Sequence, residues 1–205
     1  MKSRLLTLAN ILTMFRIILV PLYLYLFAMR TWYGVFLAGI VFGIAAVTDL
    51  IDGRIARNRN EVTRLGKFLD PLADKFLVIG VLIQFCLMGL MNAWLVGIIV
   101  VRDVWVTSLR IHAIARGKEL KTSGNAKLKT TIQIVVISTT IVVFGVRSVV
   151  IELLPGYAGQ WIELGNYRLF FNVLLLVAVV FTLYSWGRYM LGGETTEAYR
   201  KAEER

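Results

Sequence analysis

Four aspartates lie at the ends of two long apolar segments of this 205-residue chain. Asp49 and Asp52 close one segment, and Asp70 and Asp74 open the next. A carboxylate at bilayer depth costs about 2.5–3.5 kcal/mol on insertion scales, so it needs a compensating partner. Residues three and four apart share one face of a helix, so each pair projects together. The pattern therefore predicts a strongly cationic ligand between two helices.

A pair of divalent metal ions is the ligand that this donor set suits best. Carboxylate oxygens are preferred by Mg²⁺ and Mn²⁺, and two such ions about 3.5–4 Å apart typically clamp a phosphoryl centre. The short connection between the segments predicts that the two helices are antiparallel neighbours whose carboxylates converge. The alternative is a set of capping and snorkelling carboxylates paired with arginines, which suits Asp70 alone but leaves the two facing stripes unexplained.

Small and basic residues between the aspartates favour phosphate chemistry. Gly53 and Gly66 allow a ligand or another backbone to approach closely. Ala56 leaves a pocket mouth open, and Arg57 can pair with a phosphate or orient a carboxylate.

Apolar residues form 58% of the chain and are organised in six blocks. A helix needs about 20 apolar residues to cross the hydrocarbon core, so the blocks predict an all-α integral membrane protein with six transmembrane helices. A short interfacial helix is expected at Lys2–Asn10. Residues 1–191 are expected to form the membrane domain, and 192–205 a charged cytoplasmic tail. The predicted spans are Ile11–Met29, Tyr33–Ile55, Phe68–Leu90, Ala93–Ile114, Leu128–Arg147 and Leu169–Met190.

The net charge of +10 is concentrated between the second and third and between the fourth and fifth predicted spans. By the positive-inside rule these loops and both termini are cytoplasmic. A membrane surface and anionic substrates explain this charge better than nucleic acid does, so no nucleic-acid partner is expected. The single cysteine, Cys86, and single histidine, His112, give no support to an internal disulfide, a zinc site or a Cys–His nucleophile.

The spacing of the aspartates and their neighbours resembles a known signature. It is Asp49-x-x-Asp52-Gly53-x-x-Ala56-Arg57, eight residues, then Gly66-x-x-x-Asp70-x-x-x-Asp74. This pattern looks like the complete motif of the CDP-alcohol phosphotransferases, integral membrane enzymes with six spans. Within that family, further segments resemble the bacterial phosphatidylglycerophosphate synthases: Asn10–Pro21, Leu69–Lys75, Arg102–Arg110 and Ala126–Gln133.

The resemblance implies a reaction in which CDP-diacylglycerol donates its phosphatidyl group to glycerol 3-phosphate, with CMP leaving. Two divalent cations, Mg²⁺ or Mn²⁺, are implied as cofactors, with Asp74 also the general base. A homodimer in the bacterial inner membrane is also implied. The implied metal ligands are Asp49, Asp52, Asp70 and Asp74, and the implied CDP-binding residues are Gly53, Ala56, Arg57 and Gly66.

The acceptor carries a phosphate and therefore needs basic residues near the metals. Arg110 and Lys127 are the first candidates, followed by Arg102 and Lys129; ordinary positive-inside charge explains the lysines about equally well. An arginine inside a membrane needs an anionic partner to offset the cost of burying its charge, so Arg16 is expected to hold a phosphate or an aspartate. Asn10 and Thr13, on the same segment as Arg16, complete the set of supporting residues.

Three other functions compete with this interpretation. Another enzyme of the same family, such as a cardiolipin synthase using phosphatidylglycerol as acceptor, differs only in its acceptor. A cation transporter would also use clustered carboxylates, but these lie at segment ends and the chain has no visible internal repeat. A purely structural membrane protein would leave the aspartates unexplained.

Overall fold

The computed structural model describes residues 8–59, 64–115, 124–153 and 164–190, with side chains at 11–48, 72–73, 75–109, 111–112, 130–153 and 167–187. All regular structure in these residues is helical. The helices are α1 (Leu8–Ala28), α2 (Trp32–Arg59), α3 (Arg64–Leu87), α4 (Ala93–Ala115), α5 (Gly124–Leu153) and α6 (Leu164–Met190).

Each predicted segment corresponds to one helix, but several helices are longer than their apolar parts. α2 continues to Arg59, α3 begins at Arg64, and α5 extends at both ends to Gly124 and Leu153. Helical hydrogen bonding does not stop where side chains become polar, so hydropathy marks only the apolar portion. Of the predicted interfacial helix, Leu8–Asn10 belong to α1 and the preceding residues lie outside the described part, as does the 192–205 tail.

The turn between α1 and α2 is compact and capped by side chains. Arg30 has a positive φ of 58°, the left-handed conformation that often ends a helix. The Thr31 hydroxyl then accepts a hydrogen bond from the Gly34 amide at 3.3 Å, which caps the start of α2. A β-carbon at Gly34 would lie 2.8 Å from the Leu26 carbonyl oxygen, so only glycine fits this close approach.

The turn between α3 and α4 is a glycine-terminated helix end. Gly89 has a φ of 74°, and the Leu90 amide donates to the Phe85 carbonyl at 2.9 Å, the long bond of a Schellman motif. Asn92 caps α4 by accepting a hydrogen bond from the Trp94 amide at 2.9 Å. Both tight turns make consecutive helices antiparallel.

Contacts between the first three helices fix their relative directions. Along α1 and α3, Val20 lies against Gly80 and Phe27 against Phe85, so the residue numbers rise together and these helices are parallel. Tyr23 packs on Phe42 of α2, which runs in the opposite direction. α2 and α3 are therefore antiparallel, as the sequence predicted.

The same reasoning orients the last three helices. On α2 and α5, Trp32 hydrogen bonds to Glu152 while Gly39 lies against Ile141, so the numbers rise on one helix and fall on the other. On α4 and α6, Asn92 bonds to Asn172 and Arg102 to Ser185, so these two helices are parallel. Directions thus alternate along the whole chain. The ends of α2, α4 and α6 and the beginnings of α1, α3 and α5 share one end of the bundle, here termed the aspartate end.

An aromatic cluster fixes α1 within the bundle at the other end. The Phe27 ring lies 5.3 Å from the Phe85 ring and 5.4 Å from the Phe144 ring, and it stacks on Tyr23 at 5.6 Å. Tyr23, Phe27 and Phe85 are fully buried. α1 thereby contacts α2, α3 and α5 through one continuous core.

Within the described residues, three helical stretches are long and apolar enough to cross a membrane: Ile11–Ala28, Thr130–Leu153 and Tyr167–Gly187. Shorter apolar stretches occupy Trp32–Thr48 of α2 and Lys75–Leu87 of α3. Large apolar side chains are exposed on the bundle surface, with Leu169 71% and Val101 69% exposed. A surface with this many exposed apolar side chains suits contact with lipid rather than water.

Replacing Phe27 tests the aromatic cluster. Phe27→Ala leaves a cavity among three rings and is expected to lower the free energy of unfolding by about 3 kcal/mol. Phe36→Ala is the matched control, because that ring is 62% exposed and its loss should change stability by about 0.5 kcal/mol or less. Thermal unfolding of both purified variants in detergent measures the difference. Equal losses would contradict the described core.

Candidate active site

The aspartate end collects helix segments from all parts of the chain. The positions of the four aspartates, two near the end of α2 and two near the start of α3, lie at this end. So do the first turns of α1 and α5 and the last turns of α4, because the helix directions alternate. The topology therefore brings the basic positions on α4 and α5 to the same end as the aspartates.

Asp49 and Asp52 continue the buried stripe of α2. The stripe consists of Val35, Ala38, Phe42 and Ala45, each at most 4% exposed, at steps of three and four residues. The next two steps along the helix are positions 49 and 52. The aspartates thus occupy register positions on the core-facing side of α2, although their side chains lie outside the described residues.

Asp70 and Asp74 occupy the equivalent place on α3. The buried stripe of α3 consists of Val78, Val81 and Phe85. Continued toward the start of the helix in steps of four residues, it passes through positions 74 and 70. This stripe faces α1, because Phe85 packs on Phe27. The side chains of both aspartates are outside the described part of the chain.

α1 lies against both aspartate-bearing helices. α2 and α3 each pack on α1 more extensively than on one another. The sequence predicted antiparallel neighbours; the helices are antiparallel, and over the described residues each packs mainly on α1. The positions of the four aspartates therefore lie on two helices that share α1 as a neighbour.

Those first turns present two buried polar side chains. Thr13 is fully buried and Arg16 is 1% exposed, on the same stripe as Val20, Tyr23 and Phe27. Since Tyr23 lies opposite Phe42 in the antiparallel pair α1–α2, equal steps along both helices bring position 16 level with 49 and position 13 level with 52. The predicted burial of Arg16 among anionic positions is consistent with this register. Asn10 is in α1, and its side chain lies outside the described residues.

A second buried carboxylate lies at the centre of α4. Asp103 is fully buried, and its Oδ2 accepts hydrogen bonds from Lys75 Nζ at 3.0 Å and Gln133 Nε2 at 3.2 Å. Its Oδ1 accepts from Arg102 Nη1 at 3.3 Å, and Arg102 Nη2 donates to Ser185 Oγ at 3.4 Å. We term these five residues the Asp103 cluster; it joins α3, α4, α5 and α6.

Sequence reasoning did not assign the Asp103 cluster. A signal was present, because a carboxylate ten residues into an apolar helix needs a partner as much as the four aspartates do. Which residues supply that partner could not be read locally, since Lys75 and Gln133 are 28 and 30 residues away.

Comparison with a family model matches residues 6–184 of the chain to the CDP-alcohol phosphatidyltransferases. This stretch includes all four aspartates and α1 through most of α6. The chain belongs to the CDP-alcohol phosphatidyltransferase family.

Curated relatives are named for one activity. The chain is 35% identical over 194 residues to the CDP-diacylglycerol–glycerol-3-phosphate 3-phosphatidyltransferase of Bacillus subtilis strain 168, covering 89% of this chain and 92% of the relative. It is 32% identical over 187 residues to the enzyme of the same name from Escherichia coli K12, covering 88% and 91%. It is 37% identical over 143 residues to a probable phosphatidylglycerophosphate synthase of Mycobacterium tuberculosis H37Rv, a match that covers 66% of each chain.

In this CDP-alcohol phosphatidyltransferase, the predicted CDP-binding residues lie beside the aspartates. Gly53, Ala56 and Arg57 are on the last two turns of α2, and Gly66 is on the first turn of α3. Their side chains are outside the described part of the chain, so their assignment stays a prediction.

The predicted acceptor residues fall into two groups. Arg102 is 10% exposed in its side chain and is held by Asp103 and Ser185. The side chains of Arg110, Lys127 and Lys129 lie outside the described residues. The helical register nevertheless separates them: position 110 is seven after Asp103, and position 129 is four before buried Gln133, whereas 127 falls off that stripe. The register therefore favours Arg110 and Lys129, where the sequence alone favoured Arg110 and Lys127.

The donor chemistry of the aspartate end fits divalent cations. Four carboxylate positions continue two buried stripes toward one shared neighbour, and carboxylate oxygens are the ligands that Mg²⁺ and Mn²⁺ prefer. The side chains that the structure describes contain no other group of three or more histidine, cysteine, aspartate or glutamate residues suited to a metal. The aspartate end is thus the candidate metal centre.

Asp52→Asn tests this metal centre independently of any reaction. Removing one carboxylate should weaken Mn²⁺ binding by at least about tenfold. Loss of a residue that only hydrogen bonds to a metal ligand already lowers metal affinity by this factor. Titration calorimetry of the purified protein with Mn²⁺ measures the affinity. Glu152→Gln is the matched control, because this exposed carboxylate caps α2 at the opposite end of the bundle. Equal affinities in all three proteins would contradict the site.

Proposed function

We propose that this chain transfers the phosphatidyl group of CDP-diacylglycerol to glycerol 3-phosphate, giving phosphatidylglycerophosphate and CMP. The observation that carries the proposal is the pattern of eight fixed residues from Asp49 to Asp74. The chain that contains it matches about nine-tenths of the length of two relatives that are named for this reaction. The convergence of the helix ends at the aspartate end supports it.

The reaction needs little covalent chemistry from the protein. The primary hydroxyl oxygen of glycerol 3-phosphate bonds to the phosphorus that carries diacylglycerol, and the bond from that phosphorus to the oxygen of CMP breaks. Two divalent cations, held by Asp49, Asp52, Asp70 and Asp74, would offset the charge of the diphosphate and of the leaving CMP. The remaining work of the chain is to position both substrates and remove one proton.

Asp74 is the proposed general base. It takes the proton from the attacking hydroxyl group, and its register position on the α1-facing stripe of α3 supports this role. Because nearby cations lower the basicity of a carboxylate, its contribution depends on accurate placement against the hydroxyl.

Substrate phosphates need positive charge at the same end. We assign Arg57 to the diphosphate, with Gly53, Ala56 and Gly66 lining the cytidine pocket, and Arg110, Lys127 and Lys129 to the acceptor phosphate. Arg102 belongs to this acceptor set only in part, since its two terminal nitrogens already donate to Asp103 and Ser185. Arg16 is level with position 49, with Thr13 and Asn10 on the same helix, and it offsets carboxylate charge inside the bundle.

The membrane arrangement completes the proposal. All six helices span the bilayer of a bacterial inner membrane, with both termini and the aspartate end at the cytoplasmic face, supported by the basic residues at that end. Lipid donor and water-soluble acceptor can both reach such a site. A homodimer is proposed on the family resemblance.

An acceptor comparison tests the substrate. Purified protein in detergent with radiolabelled CDP-diacylglycerol and Mn²⁺ is expected to release CMP with glycerol 3-phosphate, to yield phosphatidylglycerophosphate, and to stop when the metal is chelated. Phosphatidylglycerol as acceptor should give no product. Equal turnover with phosphatidylglycerol would instead identify a cardiolipin synthase, and Mn²⁺ uptake into liposomes without turnover would identify a transporter.

Asp74→Asn tests the general base. At saturating Mn²⁺ this variant should lose about 10²–10⁴-fold in kcat for glycerol-3-phosphate-dependent CMP release, the usual contribution of a positioned base. Glu152→Gln, which alters a carboxylate at the far end, should keep wild-type turnover. Robust turnover of Asp74→Asn would remove this residue from the role of base.

A further inference from the structure

The Asp103 cluster is a buried ionic group that the proposed reaction does not use. Asp103 is fully buried, and the side chains of Lys75 and Arg102 are 17% and 10% exposed. A buried salt bridge is weak support for stability, because desolvation offsets most of its attraction and apolar replacements often do as well. Its contribution here is better sought in the geometry that it imposes.

Lys75 directly follows Asp74 on α3. Successive residues of a helix are rotated by about 100°, so the two positions lie on adjoining faces. The face of position 74 continues through Val78 and Val81 toward α1, and Lys75 reaches Asp103 on α4. Lys75 is thus the nearest described ionic tie between the aspartate-bearing turn and the rest of the bundle.

This tie fixes the rotation of α3 about its own axis. In the same turn, Leu72 and Phe76 are 39% and 59% exposed, so neither side chain is enclosed in the buried core. Small rotation of the turn would move positions 70 and 74 sideways against their partners on α2. The hydrogen bond from Lys75 to Asp103 on α4 resists that rotation. Gln133 on α5 donates to the same carboxylate oxygen at 3.2 Å and holds the carboxylate in place.

The net charge of the Asp103 cluster gives a second reason for Lys75 to stay bonded to Asp103. Lys75 and Arg102 carry two positive charges and Asp103 one negative charge, so the group has one positive charge in excess. A lysine released from Asp103 would be the closest cation to Asp74 along the chain, and it would compete with a divalent metal for carboxylates in a poorly screened interior.

We propose that Asp103 is a positioning residue, which engages Lys75 so that α3 is held in rotation and the aspartates stay available to the metals. The inference rests on the proposed metal centre and reaction. It assigns Asp103 no contact with substrate, and Gln133 supports the same carboxylate from α5.

Two measurements separate positioning from a purely structural role. Mn²⁺ affinity is measured by titration calorimetry without lipid substrate, and kcat at saturating Mn²⁺ by CMP release. Asp103→Asn should weaken Mn²⁺ binding by about tenfold in folded protein, because the released Lys75 ammonium group competes with the metal for the carboxylates. In Asp103→Asn/Lys75→Met, affinity should recover in part because the competing cation is gone, while kcat stays low because α3 is no longer held.

The control is Ser148→Ala, which removes a buried hydroxyl group bonded to its own helix at 2.9 Å, far from the aspartate end. It should alter neither quantity. Unchanged Mn²⁺ affinity in folded Asp103→Asn, or no recovery in the double variant, would overturn the proposal. Because Mn²⁺ binding is read without substrate, these results are distinct from a failure of the proposed reaction, which would appear as no CMP release by the wild-type protein.

A second pair of variants serves if Asp103→Asn cannot be purified folded. Lys75→Met leaves Asp103 bonded to Arg102 and Gln133, and Lys75→Arg can still reach the carboxylate. At saturating Mn²⁺, Lys75→Met should lower kcat by about tenfold or more, since small misplacements are costly, and Lys75→Arg should restore most of it. Equal kcat values in wild type and Lys75→Met would overturn the proposal.

Discussion

A carboxylate inside an apolar bundle must be matched by positive charge, and the organisation of this protein follows from that constraint. Helix stripes that are apolar at one end of the bundle become ionisable at the other. On α2 the sequence Val35, Ala38, Phe42, Ala45 leads without a break in register to Asp49 and Asp52. The same helix face therefore packs the core and carries the positions of two proposed metal ligands.

α1 is the element on which this arrangement depends. Its aromatic residues at one end pack against three helices, with the Phe27 ring 5.3 Å from the Phe85 ring and 5.4 Å from the Phe144 ring. At the other end the same stripe presents Thr13 and Arg16, both buried. Rigid packing at the aromatic end sets the direction of the stripe, so the polar side chains reach the aspartate end in a defined register. Stability and site geometry are thereby carried by one helix.

How much the sequence could predict depends on the range of the interaction. Helix number, the alternating directions and the aspartate pairs follow from local patterns, because apolar runs and steps of three and four residues are properties of single segments. Helix ends such as Arg59 and Gly124 were missed since backbone hydrogen bonding continues past the apolar residues. The packing of both α2 and α3 on α1, seen in the described residues, was missed because no local pattern states which helices share a neighbour.

The Asp103 cluster illustrates the same limit in the site itself. Asp103 is visible in the sequence as a carboxylate within an apolar segment, but Arg102 reaches Ser185 across 83 residues. Arg102 was expected to bind the acceptor phosphate, and only the tertiary contacts reveal that both terminal nitrogens serve α4 and α6. A basic residue near a site can bind substrate or hold the scaffold, and its neighbours decide which. In the proposed site the four carboxylates at the aspartate end bind exchangeable cations, whereas Asp103, deeper in α4, is matched by side chains of the protein itself.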